Sequence, residues 1–285
     1  MHPYYIDLGF KDVRIGMYER LDFDQDGIPR YRYPAGLYYN ITFICHVALY
    51  HHSRYLKFGR PEDLRLFLRM SEWIVLHGQE SEDSFLFPCA FPYACPHAQF
   101  TPPWISALGQ GRMLSVLSRA WAATGKEEFL RMACKAMQPF ELPASEGGVQ
   151  ARFPDGGIGF EEYPGQEPNL VLNGLITALI GLYDLGETGQ APRARELCRQ
   201  GISSLEANLH RYDLAYWSAY DLTGYVASAN YHFYHIMQLW ALYEMTGREA
   251  FKRTTLKWQG YRKGPRFHAT YLVSRGRTWL RQQLQ

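Results

Sequence analysis

The segment GFEEYPGQEPNLVLNG places two glutamates and a tyrosine side by side in a loop rich in glycine and proline. After it, apolar residues recur at intervals of three and four from Leu172 onward, which predicts that a buried helix begins there. A glutamate can accept a proton, whereas a tyrosine ordinarily keeps its proton and serves as a donor. Glu162 and Tyr163 therefore suit acid–base chemistry on a bound molecule. The structural alternatives are a solvated Glu161 and aromatic caps at helix starts for Tyr163 and, further along the chain, Tyr231.

The elements that must position these residues follow a repeat, in which a pair of helices occurs four times. The segments AWAATGKEEFLRMA and ALYEMTGREAFKRTT share an aromatic residue, Thr-Gly, a charged residue and a Phe in an amphipathic run. Glycine supplies the left-handed residue that ends the first helix of a pair, so each repeat predicts a helical hairpin. The first helices are predicted to begin near residues 38, 104, 168 and 229.

The first helix of each pair is the more apolar one, which indicates an inner helix packed against a more charged outer helix. The sequence therefore predicts an all-α-dominated fold, an (α/α) toroid or barrel of about four helical hairpins, with short β-hairpins at the cleft end. We expect an extended or β-hairpin segment over residues 1–37 and the toroid over residues 38–265. Residues 266–285, which are basic and amphipathic, are expected to form an extra helix or a tail.

The loops that connect the pairs should gather at one end of the ring and form a cleft there, since loops on a rigid scaffold commonly carry function. This places Glu162 and Tyr163 at the cleft, just before the third inner helix. By the same logic Trp104 and Gln110 should lie at the cleft beside the second inner helix, and Tyr220, Tyr231, His232 and His235 beside the fourth. The two histidines point inward and are expected to bind substrate or loop backbone rather than a metal.

Composition excludes some functions and favours others. The net charge of +2 gives no electrostatic case for binding nucleic acid. Aromatic residues make up 15% of the chain, which suits contacts with sugar rings as well as packing between helices. The amino terminus shows no signal peptide and no apolar segment reaches membrane-spanning length, so we expect a cytoplasmic protein without a membrane partner. The sequence leaves open whether the protein forms a homodimer.

Two patterns resemble metal sites and are given other interpretations. Cys89, Cys95 and His97 lie close together, but no second ligand pair follows at a zinc spacing, so no metal site is predicted there. The segment DFDQDG matches the first half of a calcium loop, with Asp22, Asp24 and Asp26 as candidate ligands. Tyr33 stands where the last ligand should be and Pro29 interrupts the loop, so a tight hairpin turn is the favoured interpretation.

Several segments resemble the D-glucuronyl C5-epimerase family, in colinear order over roughly residues 35 to 265. The most specific block is EEYP followed by LVLNG and LIGLYDLGETG, and SAYDL, NYHFYHIMQL, PWISALGQG, GGVQARF and WQGYRKG support it. The resemblance implies conversion of glucuronyl to iduronyl residues in a polysaccharide or oligosaccharide, without a cofactor. It implies a catalytic set of Glu162, Tyr163, Tyr220 and Tyr231. Glu162 and Tyr231 would act on opposite faces of C5.

The chain departs from the family pattern in two ways. The mammalian enzymes have a longer loop between the last two tyrosines and an arginine soon after YDL, whereas here Thr223 follows YDL directly. The clamp for the substrate carboxylate must then come from elsewhere, and Arg112 and Arg152 are the candidates, with Asn173 of the LVLNG segment as a further substrate-binding residue. We also expect the large amino-terminal β-rich region of the animal enzymes to be absent, which leaves the glycan undetermined.

Three other functions stay open at this stage. A polysaccharide lyase removes the same C5 proton and then expels the 4-O substituent. An inverting glycoside hydrolase needs two carboxyl groups, which Glu162 and Asp221 would supply, but it leaves the tyrosines unexplained. A non-catalytic glycan-binding module is the third alternative.

Overall fold

The computed structural model describes residues 2–9, 20–95, 98–165 and 167–261. The predicted carboxyl-terminal tail, residues 266–285, and the last four residues of the predicted toroid lie outside the described residues. Within the described part of the chain, no helix combines the length and apolar character needed to cross a membrane.

Eight α-helices in the described residues form four consecutive hairpins, as predicted. The pairs are α1 (Ile41–Phe58) with α2 (Pro61–His77), α3 (Ala107–Thr124) with α4 (Glu127–Ala136), α5 (Leu172–Gly186) with α6 (Pro192–Asn208), and α7 (Ala229–Thr246) with α8 (Glu249–Tyr261). Short 3-10 helices cover Gln138–Phe140, Ala144–Glu146 and Leu209–Tyr212. The prediction of four helical hairpins is confirmed.

The Thr-Gly signal ends two of the first helices as predicted. Gly125 and Gly247 adopt φ values of 68° and 68°. Their N–H groups donate to the carbonyls of Trp121 and Tyr243. Because side chains with a Cβ are strained at positive φ, glycine suits a turn this short.

The inner helices pack in chain order, α1 on α3, α3 on α5 and α5 on α7, and each also packs on its own outer helix. The closest approach joins α3 to α5, where a Cβ added at Gly181 would lie 2.0 Å from the carbonyl oxygen of Gly111. The two backbones therefore touch, and nearly every residue of α5 is buried. This arrangement is the predicted (α/α) toroid, with α1 and α7 at the two ends of the row.

Short antiparallel hairpins precede the inner helices. The first is a three-stranded sheet of β1 (Leu21–Phe23), β2 (Pro29–Tyr33) and β3 (Gly36–Tyr39). The others pair β4 (Gln79–Glu80) with β5 (Phe85–Leu86), β6 (Tyr93–Cys95) with β7 (Ala98–Phe100), and β8 (Gln150–Arg152) with β9 (Ile158–Phe160).

The acidic DFDQDG segment forms the turn between β1 and β2. One Asp24 oxygen accepts from the N–H groups of Asp26 at 3.0 Å and Ile28 at 2.8 Å, and the other accepts from the Tyr39 hydroxyl at 2.6 Å. Asp22 forms an ion pair with Arg30 at 2.6 Å. These contacts use the carboxylates to hold the hairpin, in line with the turn interpretation.

Residues 2–9 close the end of the toroid that lies opposite the hairpins. Arg119 and Asp184, near the carboxyl ends of α3 and α5, form a buried ion pair at 2.9 Å. The Tyr5 hydroxyl donates to Asp184 at 2.9 Å, and Arg119 donates to the carbonyl of His2 at 2.6 Å. Each buried charge thus has a charged partner and further hydrogen bonds, as burial requires.

Candidate active site

A cavity of about 430 Å³ opens at the amino-terminal ends of the inner helices. Its walls include the first turns of α1, α3, α5 and α7, strand β2, and the loop between β9 and α5. Since α1 and α7 are the two ends of the packed row, the cavity lies where these ends face each other. The loops gather at this end, as the repeat predicts.

Glu161 holds the loop that carries the neighbouring Glu162. One Glu161 oxygen accepts from the backbone N–H groups of Asn169 at 2.8 Å and Leu170 at 3.0 Å. Its own carbonyl accepts from the N–H of Ala107, which ties the loop to the start of α3. Glu161 is buried and does not line the cavity, so its position is structural rather than the solvated surface considered above.

Glu162 lines the cavity and is only 4% exposed. The Asn173 amide donates to its Oε2 at 3.0 Å. Burial raises the pKa of Glu162 to about 7, against the opposing influence of a hydrogen bond from Tyr163 and the charge of Arg112. A Cβ at Gly174 would lie 2.5 Å from the Glu162 Cβ, so the glycine of LVLNG leaves the room that this carboxyl occupies. Near neutral pH the carboxyl is poised both to accept and to release a proton.

Three tyrosines surround this carboxyl, and two of them line the cavity. Tyr163 stacks on Tyr93 with ring centroids 5.2 Å apart, and their hydroxyls lie 3.2 Å from each other. Tyr231 is 39% exposed in the cavity, and its ring packs edge-on against Tyr220 at 4.8 Å. Tyr220 does not itself line the cavity. It packs against a small buried cluster that consists of Phe100, Tyr163 and Val171.

The protonation of the tyrosines is controlled by burial. Burial raises the pKa of Tyr163, Tyr220 and Tyr231 above the ordinary value of 10.0, and the charge of Glu162 raises each further. All three therefore keep their protons at neutral pH and are available as donors.

Arg112 and Asn173 supply buried polar groups on the cavity wall. The Arg112 guanidinium donates to the carbonyl of Thr42 at 3.0 Å and to the hydroxyl of Tyr234 at 3.1 Å. Its Nε and the Oδ1 of Asn173 are buried and have no hydrogen-bond partner among the described residues. Buried polar atoms are normally paired, so an unpaired polar atom on each of these cavity-lining residues marks both as candidates for binding a ligand. Both residues were predicted to bind substrate, and the structure brings both to the cavity.

Trp104 also lies where it was predicted, on the cavity wall. Its indole N–H donates to the carbonyl of Phe91 at 2.9 Å, which fixes the ring and leaves its face for packing. The ring lies 5.9 Å from that of Tyr93 in a stacked orientation.

Two predicted substrate-binding residues are placed elsewhere. Gln110 is buried outside the cavity, where its amide bonds to the backbone of Phe87 at 3.0 Å and Phe85 at 3.2 Å. Arg152 is exposed on β8 and donates to the carbonyl of Gly156 at 3.1 Å within its own hairpin. The structure therefore corrects both expectations, and Arg112 stays as the candidate clamp.

The two histidines of α7 are likewise buried away from the cavity. His232 stacks on Trp217 at 3.8 Å, and its ring nitrogens contact Ser218 at 2.8 Å and the carbonyl of Trp258 at 3.2 Å. His235 shares the Ser218 hydroxyl at 3.1 Å, and burial lowers its pKa well below 6.5. His232 accepts from the backbone N–H of Ser218 at 3.2 Å, so the expected contact with loop backbone is present, whereas neither histidine lines the cavity as a substrate ligand would.

Asp221, the second carboxyl that a glycoside hydrolase would need, is also structural. One of its oxygens accepts from the N–H of Thr223 at 2.9 Å and from the Thr223 hydroxyl at 2.7 Å. It is fully buried in its turn and does not line the cavity.

The sequence analysis missed part of the cavity lining. The missed residues are aromatic and polar side chains from β2, the start of α1, α7 and the segment before α3, and they include Tyr31, Tyr33, Asn40, Phe91, Tyr93 and Tyr234. The tyrosines of RYRYP lie on a hairpin that precedes the first inner helix, just as other hairpins precede the second and third inner helices. This position in the repeat could have indicated that they face the cleft.

Comparison with known proteins decides the family. Residues 81–260 match the family described as D-glucuronyl C5-epimerase C-terminus. The chain belongs to this family. It is 32% identical over 226 residues to the D-glucuronyl C5-epimerase of Caenorhabditis elegans, and the match covers 73% of this chain and 36% of that protein. It is 33% identical over 173 residues to a protein of Methanocaldococcus jannaschii described as uncharacterised, covering 59% of this chain and 56% of that one.

This member of the epimerase family thus spans about a third and about half of the lengths of these two relatives. Among solved structures it is similar to an α-mannanase of glycoside hydrolase family 76 from Bacteroides thetaiotaomicron, with a TM-score of 0.52, 10% identity and coverage of 87% of this chain and 64% of that chain. A second family 76 structure from the same bacterium gives a TM-score of 0.50, 13% identity and coverage of 83% and 62%. These similarities concern the fold alone, and they agree with the (α/α) toroid.

Proposed function

We propose that the protein inverts C5 of D-glucuronyl residues within a glycan and so produces L-iduronyl residues. The observation that carries the proposal is the buried carboxyl of Glu162, which lies with protonated tyrosines and a buried guanidinium around one cavity. Membership of the epimerase family supports the same reaction. The proposed catalytic set is Glu162, Tyr163, Tyr220 and Tyr231, and no cofactor takes part.

In the first step, the Glu162 carboxylate removes the C5 proton. This hydrogen is α to the uronate carboxylate, so the electron pair left behind moves onto the carboxyl oxygens. The growing charge must meet donors that are already in place. Arg112 is the proposed clamp, because it lines the cavity with a positively charged guanidinium and its Nε–H has no acceptor among the described residues. Asn173 would accept a hydrogen bond from a sugar hydroxyl through its unpaired Oδ1.

In the second step, Tyr231 donates a proton to C5 from the opposite face. Its raised pKa means that the hydroxyl proton is present at neutral pH. Inversion leaves Glu162 with one proton more and Tyr231 with one proton fewer. Against the effect of burial, a hydrogen bond from Tyr163 lowers the pKa of Glu162, and a hydrogen bond with Tyr163 lowers the pKa of Tyr220. A hydrogen bond with Tyr220 likewise lowers the pKa of Tyr231, so the four side chains are linked. Tyr163 and Tyr220 are therefore suited to return the proton, and Tyr163, which lines the cavity, can also hold the substrate ring.

The pH dependence of the reaction should report Glu162. Only its carboxylate form can accept the C5 proton, and its pKa is about 7. We expect kcat/KM to rise about tenfold per pH unit below 7 and to level off above it. The Glu161→Gln variant should keep this profile, because Glu161 does not line the cavity. A kcat/KM that is flat between about pH 5.5 and 8 would contradict the assignment.

The same two glutamates make folding stability depend on pH with a defined sign. Burial raises the pKa of Glu161 and of Glu162 from 4.5 to about 7, so the folded state holds their protons more tightly than the unfolded state. Their contribution to stability is fully present below pH 4.5 and is lost as the pH rises to about 7. Denaturant unfolding of the Glu162→Gln variant should show a weaker decline over this window.

Incubation with heparosan, a polymer that contains glucuronate, tests the proposal. We expect NMR signals of iduronyl residues and an unchanged chain length. Shortened chains that end in an unsaturated uronate would identify a lyase. Binding without any change in the glycan would identify a glycan-binding module.

A further inference from the structure

One wall of the cavity comes from a part of the chain that precedes the family match. The match begins at residue 81, whereas Tyr31 and Tyr33 lie on β2, and Asn40 and Phe43 lie at the start of α1. All four line the same cavity as Glu162. The residues assigned to proton transfer thus face a surface that the family-matching segment does not supply.

The rings of Tyr31 and Tyr33 continue a row of aromatic rings that begins at Tyr163 of the proposed catalytic set and passes through Trp104 and Phe91. Successive ring centroids are 6.2 Å apart from Tyr163 to Trp104, 5.6 Å from Trp104 to Phe91, 4.1 Å from Phe91 to Tyr33 and 4.8 Å from Tyr33 to Tyr31. The row therefore extends beyond the space that one reacting sugar ring needs. Tyr163 is buried at the inner end of the row, whereas Tyr31 and Tyr33 are half-buried at its outer end.

The outer rings are held in place by neighbours on one side. Tyr33 stacks on Phe91 at an interplanar angle of 18°, and Tyr31 stacks on Phe43 at 12° with centroids 4.2 Å apart. Rings fixed in this way lose little freedom when a ligand packs on them, which favours binding.

The hydroxyl of Tyr33 is also prepared for a ligand. The Asn40 amide donates to it at 2.5 Å, while the Asn40 Oδ1 accepts from the N–H of Thr42 at 2.8 Å and so fixes the amide. The hydroxyl oxygen is thus already an acceptor, and among the described residues no group accepts its own proton. A hydroxyl group that a fixed neighbour orients can donate a hydrogen bond to a ligand oxygen without rearrangement of the site.

Charge defines the kind of sugar that this wall suits. The acidic and basic side chains of the cavity lining are Glu162, Arg112 and His46, whereas Tyr31, Tyr33, Asn40 and Phe91 carry no charge. Apolar and aromatic surface with a few fixed polar groups is typical of a site for an uncharged ligand. A sugar ring presents C–H groups on its face and hydroxyl or amide oxygens at its edge. The C–H groups can pack on the rings of Tyr31 and Tyr33, and an oxygen can accept from the Tyr33 hydroxyl.

We propose that Tyr31, Tyr33 and Asn40 form a subsite for an uncharged sugar that neighbours the reacting uronate in the glycan, with Tyr33 as the hydrogen-bond donor. This inference rests on the proposed function for the identity of the reacting residue. In this proposal, the amino-terminal sheet and Asn40 at the start of α1 bind the sugar next to the reacting residue, although they precede the family-matching segment.

The test is a binding titration with two probes in a chain that carries Glu162→Gln, so that bound glycan is not turned over. The probes are a heparosan hexasaccharide and methyl β-glucuronoside, which has no neighbouring sugar. Adding Tyr33→Phe or Tyr31→Ala should weaken hexasaccharide binding about fivefold to tenfold and leave binding of the glucuronoside unchanged. Tyr38→Phe is the matched control, because this tyrosine lies on the same sheet, donates to the carbonyl of Ala35 and does not line the cavity.

Two outcomes would overturn the subsite. Hexasaccharide affinity within twofold of the parent in both variants would show that the wall does not bind the glycan. An equal loss for both probes would show a distorted cavity rather than a separate subsite. Failure of the proposed function looks different, since wild-type protein would then bind the hexasaccharide and yield no iduronyl product.

Discussion

The Glu162→Gln variant should lose turnover by about 1,000-fold or more, because an amide cannot accept the C5 proton and general acid–base groups commonly contribute factors of this size. The measurement is the initial rate of iduronyl formation from heparosan by NMR. The shape of the side chain is kept, and the amide oxygen of the new residue can still accept from Asn173, which now donates at 3.0 Å. The loss should therefore appear in kcat rather than in binding.

Glu161→Gln is the matched control for this variant. It makes the same change one residue away, in a buried side chain that lies outside the cavity. The new amide oxygen can still accept from the N–H groups of Asn169 and Leu170. We expect turnover close to that of the wild type. If Glu162→Gln retained activity within a factor of about three, which is about 0.7 kcal/mol of barrier, Glu162 would have no part in the mechanism.

The Tyr231→Phe variant should separate proton removal from inversion. Loss of the hydroxyl removes the donor on the second face, so iduronyl formation should fall by about 100-fold or more. Glu162 can still remove the C5 proton, exchange it with water and return it to the same face. In deuterated water, the glucuronyl residues should therefore gain deuterium without inversion, which mass spectrometry and NMR can measure together.

The fold of this variant should be unaffected, since the ring stays against Tyr220 and 39% of the side chain is exposed. Unfolding by denaturant is the check. Inversion at a rate within about threefold of the wild type would assign the second proton to another group. Loss of both exchange and inversion would place Tyr231 in the first step instead.

Local sequence signals predicted the helices well because each hairpin is specified within about 40 residues. The apolar run from Leu172 and the Thr-Gly pairs at Gly125 and Gly247 are properties of neighbouring residues, and they mark the helices of the structure. The loop position of Glu162 followed from the same repeat. The family resemblance then added roles for the tyrosines that no spacing could supply.

The direction of side chains around a helix was harder to predict. Gln110 and Arg112 both lie near the start of α3, but two residues turn the helix by about 200°, so only one of them can face the cavity. Arg112 does, and Gln110 faces the backbone of Phe87 instead. A repeat that marks helix ends carries no information about which side of each helix faces the centre.

The aromatic wall was missed because it depends on a long-range arrangement. Tyr33 and Glu162 are far apart in sequence, and they share a cavity only because α1 and α7 end the row of inner helices. Local patterns assign Tyr31 and Tyr33 to a hairpin without showing what that hairpin faces. Its position before the first inner helix was the clue, since the other cleft loops hold the same place in their repeats.

Incubation of the wild-type protein with heparosan in deuterated water tests the central claim most directly. If Glu162 removes the C5 proton and Tyr231 supplies one from the other face, deuterium must appear at C5 of newly formed iduronyl residues, because the donor exchanges with water between turnovers. NMR should show this label while the length of the polymer stays constant. Iduronyl residues without deuterium, or shortened chains that end in an unsaturated uronate, would contradict the account.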